Sequence, residues 1–115
     1  RTDKDTLDKG RQTSGVAPNF VHSLDASAVH MTASLAKKFG INSISMVHDS
    51  YATHSPKCQK LADTLRFVFS KIFDDDLLTL FQEDLQNLTD EDLPSPFKLG
   101  NLQCEEVLNS EYFFA

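Results

Sequence analysis

The sequence predicts an α+β fold, mostly helical with one small antiparallel β-hairpin. Three observations carry this expectation. Two stretches place apolar residues at helical spacing, a short alternating run is broken by a polar tripeptide, and the 115 residues are 40% hydrophobic and 24% charged. That composition is ordinary for a globular chain and excludes collagen-like, low-complexity and wholly disordered classes. The length suits one domain.

The elements follow in order. Residues 1–15 are polar, with Leu7 the only large apolar side chain, and read as a solvated arm or as a helix that needs a partner. Residues 18–39 read as a helix, because Leu24, Ala28, Met31, Leu35 and Phe39 form one stripe at spacings of four, three, four and four. Gly40 is a natural stop. Over 41–54, Ile44 and Met46 alternate with Ser43 and Ser45, and Val47 closes a short buried strand. His48, Asp49 and Ser50 interrupt it, and Tyr51, Ala52 and Thr53 resume it, so a tight hairpin with a polar tip is expected.

Residues 55–92 read as helices. Pro56 suits a first helical turn with Ser55 as its cap, and Leu61, Leu65, Val68, Phe69 and Ile72 supply a stripe that runs to Phe73. Asp74, Asp75 and Asp76 then introduce Leu77, Leu78, Leu80, Phe81, Leu85 and Leu88, and carboxylates favour a helix N-terminus. Residues 93–115 open with a loop imposed by two prolines and Gly100, and one helical turn is expected over Cys104 to Leu108. A lone hairpin is marginal in water, so the first helix is expected to lay Leu24, Ala28, Met31 and Leu35 on Ile44, Met46 and the 65–72 helix.

Charge and cysteines narrow the function. Eleven Lys and Arg against seventeen Asp and Glu give a net charge of -6, the wrong sign for a free-standing module that neutralises phosphates, so any nucleic-acid role needs a local site. Cys58 and Cys104 stand far apart without ligand spacing, which argues for reduced thiols in a cytosol-like compartment rather than zinc or a disulfide. No apolar run approaches a membrane span and no leader pattern opens the chain, so neither is expected. Arg1 in first place is expected of a processed product or an excerpt.

Four features could carry chemistry. His48, Asp49 and Ser50 have an ordinary reading as turn residues. Against that, a carboxylate at the end of a strand is held where a hard divalent cation could meet substrate phosphates, which makes Asp49 the best ligand candidate. His22 and Asp25 share a helix face apart from the apolar stripe, leaving the imidazole exposed or facing a partner. The three consecutive aspartates point in different directions on a helix and read as a cap, not a metal cluster. Tyr112, Phe113 and Phe114 read as a packing anchor. From the residues alone, a helical interaction domain in which Asp49 merely shapes a turn stays open.

The stretch GVAPNFVHS at 15–23, then MVHDSYATH at 46–54, and the closing SEYFFA together resemble the last part of a single-subunit, bacteriophage-type RNA polymerase, a family with phage and mitochondrial members. An A-family DNA polymerase palm also carries a His-Asp hairpin, but the PNFVHSLD context and the terminus argue against it. The resemblance implies a palm and fingers fold, with the hairpin at 41–54 in the palm and a C-terminal foot within 93–115. It implies that Asp49 is one of two palm aspartates holding two magnesium ions, with His48 flanking it. His22 then faces the end of the RNA–DNA hybrid, and Phe114 and Ala115 belong to the foot near the active site, where Phe113 departs from the small residue phage forms often carry.

The implied reaction is template-directed RNA synthesis from nucleoside triphosphates by two-metal phosphoryl transfer. The implied partners are DNA template, RNA transcript and the remainder of the polymerase chain, which supplies the other aspartate, so this piece alone is expected to be inactive. Ser50 and Ala115 lean toward a phage-type origin, hence a bacterial or phage-infected cytoplasm rather than a mitochondrion.

Overall fold

The computed structural model describes residues 7–113, mostly helix with one two-stranded antiparallel sheet. Helix α1 spans Lys9–Lys38 and so begins well before the stripe that predicts it. Asp8 caps it, accepting from the Arg11 N–H at 3.2 Å, and Pro18 lies inside it. Lys37 and Lys38 in the last turn complement the helix dipole. The C-terminus closes as a Schellman motif. Gly40 takes φ +77°, its N–H donates to Lys37 O at 3.1 Å, and the Ile41 N–H donates to Ala36 O at 2.9 Å.

That turn redirects the core. Ile41 is buried against Ala36, whereas Phe39, expected at the end of the stripe, is 44% exposed and meets Phe67 edge-on at 6.4 Å. Strands β1 (Ile44–Val47) and β2 (Ser50–Thr53) pair with Ile44 opposite Thr53 and Val47 opposite Ser50. Ile44, Met46, Tyr51 and Thr53 face inward, and the other four positions face out. The strand is therefore half-buried rather than buried, with Val47 exposed, because only one face of a two-stranded sheet meets the helices.

A 3₁₀ turn at Ser55–Lys57 carries Pro56 and precedes α2 (Cys58–Ile72). Ser55 does not cap: the residue before the turn is His54, and no side chain bonds there. Helix α3 (Leu77–Gln86) is capped by Asp76, which accepts from the Thr79 N–H at 3.1 Å and the Thr79 hydroxyl at 2.8 Å, as expected of the aspartate run. Leu88 lies beyond this helix and is exposed. A second 3₁₀ segment, Cys104–Asn109, follows the proline loop.

Two clusters hold these elements together. Ala28, Val68 and Ile72 are joined by Leu24, Met31, Leu35, Phe69 and Leu77, so the α1 stripe lies on α2 as expected. Ile44 goes elsewhere: it packs with Tyr51 and Phe113 on Ala36, Ile41, Leu61 and Leu65. Phe20 and Phe81, with ring centroids 4.7 Å apart, join α1 to α3. The radius of gyration is 18.1 Å, against about 13 Å for a compact chain of this length. No helix among the described residues is long and apolar enough to cross a membrane.

Candidate active-site groove

The hairpin tip and the middle of α1 form the candidate site. Burial of Ala28, Thr32 and Ala36 fixes the rotation of α1 and turns His22 outward, with half-buried Asp25 beside it. The inward set of the hairpin fixes its register, and a two-residue turn, His48 and Asp49, joins the strands. His48 takes φ 53°, the only positive φ at a non-glycine position among the described residues. Two-residue hairpins commonly need such a conformation and commonly place glycine in it. A histidine there carries local strain of about 1–2 kcal/mol.

These two elements meet. Val21, His22, Asp25, His48 and Asp49 line one open groove, and His48 Nδ1 lies 3.9 Å from Asp25 Oδ2. The groove thus joins His22, His48 and Asp49 with Asp25, which the sequence already places on the His22 face of the helix. The signal for Asp25 was its spacing from His22. Its neighbour across the groove is set by tertiary packing and left no trace in local pattern. Phe114 and Ala115 lie outside the described residues.

Behind the tip stands Tyr51. Burial raises its phenol pKa above the usual 10.0, and the nearby Asp25 and Asp49 carboxylates raise it further. The ring therefore stays neutral through the physiological range. Among the described residues no group of three or more His, Cys, Asp or Glu side chains converges to hold a metal ion. Asp49 alone is an exposed hard-oxygen donor at the end of two paired strands. That donor set fits a magnesium site shared with other residues and with phosphates, since magnesium commonly takes only one or two carboxylates.

The profile of the family described as DNA-dependent RNA polymerase matches residues 1–95. The chain belongs to that family. Among polymerase relatives, the DNA-directed RNA polymerase of Enterobacteria phage T3 is 35% identical over 115 residues, covering 95% of this chain and 13% of the phage protein. The DNA-directed RNA polymerase 1A of Nicotiana tabacum is 40% identical over 108 residues, 90% of this chain and 67% of that protein. The mitochondrial DNA-directed RNA polymerase 1 of Nicotiana sylvestris is likewise 40% identical over 108 residues, which is 10% of its length. These polymerase identities do not single out a phage origin, whatever Ser50 and Ala115 suggest. No solved structure gives a significant match.

Proposed function

We propose that this chain is the palm and fingers segment of a DNA-directed RNA polymerase that presents one magnesium-holding aspartate, Asp49, to the growing end of an RNA–DNA hybrid. The single observation that carries this reading is the shared groove: residues of two motifs far apart in sequence, 21–25 and 48–49, open onto one space. Family membership supports a nucleotide-addition chemistry. When bound, magnesium would neutralise the triphosphate and leaving pyrophosphate and activate the attacking 3′-hydroxyl.

The residues of this chain have separate tasks in that reaction. Asp49 offers carboxylate oxygens from a tip whose position is fixed by strand pairing. His22 offers an imidazole that can donate to the acceptors every base pair presents in the minor groove, so it senses pairing geometry without reading sequence. The second carboxylate and the cationic residues that meet phosphate come from the rest of the polymerase, in keeping with the net charge of -6 here.

Nucleotide addition by the complete polymerase on a primed RNA–DNA scaffold tests this reading. His22→Ala should lower extension from a matched end about fivefold, the worth of one hydrogen bond of roughly 1 kcal/mol, and should weaken rejection of mispaired ends. Unchanged extension and misincorporation would remove His22 from the site.

A further inference from the structure

Arg66 on α2 is a charged side chain in an otherwise packed position, only 14% exposed. Its Nε and Nη2 donate to the Ser110 carbonyl at 3.2 and 3.0 Å, and its guanidinium carbon sits 5.9 Å from the centre of the Phe113 ring. Phe113 in turn meets Phe69 edge-on at 5.2 Å. It packs on the same cluster of Ala36, Ile41, Leu61 and Leu65 that supports Ile44 and Tyr51 of the hairpin. Tyr51 and Phe113 also line one groove between β2 and α2, with Arg66 on its wall.

We infer that Arg66 is a positioning residue: it fastens residues 110–113 to α2 and through them braces the base of the hairpin whose tip carries Asp49. A forked guanidinium suits this task, because one side chain can bond a carbonyl through two N–H groups while its flat face covers a ring. Lysine has the charge but neither the fork nor the plane. The bracing of Asp49 rests on the polymerase reading above, whereas the fastening itself does not.

The experiment compares Arg66→Met and Arg66→Lys with the wild type in the complete polymerase. Hydrogen–deuterium exchange of the peptide containing Ser110 and Phe113 should rise at least about tenfold in both variants. The kcat for nucleotide addition should fall while KM for nucleotide stays within about twofold, and Arg66→Lys should recover only part of the loss. Wild-type exchange at 110–113 in both variants would overturn the fastening. Faster exchange with unchanged kcat would overturn the bracing of Asp49. A wild-type polymerase unable to add nucleotides would overturn the functional reading instead, and the exchange comparison would still decide for or against the fastening.

Discussion

His48 Nδ1 stands 3.9 Å from Asp25 Oδ2, so the tip of the hairpin and the face of α1 that carries His22 approach through a histidine and a carboxylate. The His48 side chain is 82% exposed, and a pair so open to water contributes little to stability. The tip is held by its turn and by the inward residues behind it, not by this pair.

That division predicts the behaviour of His48→Gly. Glycine relieves the left-handed cost of about 1–2 kcal/mol but loses roughly 0.5–1 kcal/mol more in freedom on folding, so the two effects largely oppose each other. Thermal unfolding should therefore shift by only a few degrees. A large destabilisation would show that the imidazole itself holds the tip.

The core of the α1–α2 contact makes a second pair of predictions. Val68 is fully buried, so Val68→Ala should cost about 2–3 kcal/mol through lost burial and a cavity. Thr32 is equally buried, and its hydroxyl has no hydrogen-bond partner among the described residues. Thr32→Val keeps the shape and removes the desolvated hydroxyl, so it should be neutral or gain about 1 kcal/mol. Urea midpoints measure both.

Local pattern carried much of this architecture. The α1 stripe, the Ile44 and Met46 alternation, the Gly40 stop and the Asp76 cap each depend on neighbours within a few residues, and each is readable there. For residues 9–15 the sequence leaves an arm and a helix open, because no apolar stripe decides between them, and the structure has the helix, capped by Asp8. Phe39 was misplaced because the Schellman turn brings Ile41 into the core instead. The positive φ of His48 carries no glycine to announce it. Arg66 gave no signal, since its partners at 110 and 113 arrive only with the tertiary fold.

Tyr51 makes the fold sensitive to alkali. Its folded pKa lies above the unfolded value of about 10. The folded state therefore holds the proton more tightly, and this contribution is complete below pH 10 and is lost as pH rises through the folded pKa. Tyr51→Phe has no such proton. Wild-type stability should fall more steeply than that of Tyr51→Phe above pH 10, as read from denaturant midpoints at pH 9, 10 and 11. Parallel curves would contradict the burial of the phenol near Asp25 and Asp49.

Asp49 bears the central claim. In the proposed reading Asp49 would hold magnesium together with a carboxylate from elsewhere in the polymerase, and its removal would leave the cation charge at the reacting phosphates without this support. The measurement is single-nucleotide addition on a primed RNA–DNA scaffold at millimolar magnesium, with Asp49→Ala in the complete polymerase and promoter binding followed in parallel. The account predicts a loss of about a thousandfold or more in the rate of addition, with promoter binding intact. Addition by Asp49→Ala at a rate near that of the wild type would contradict it.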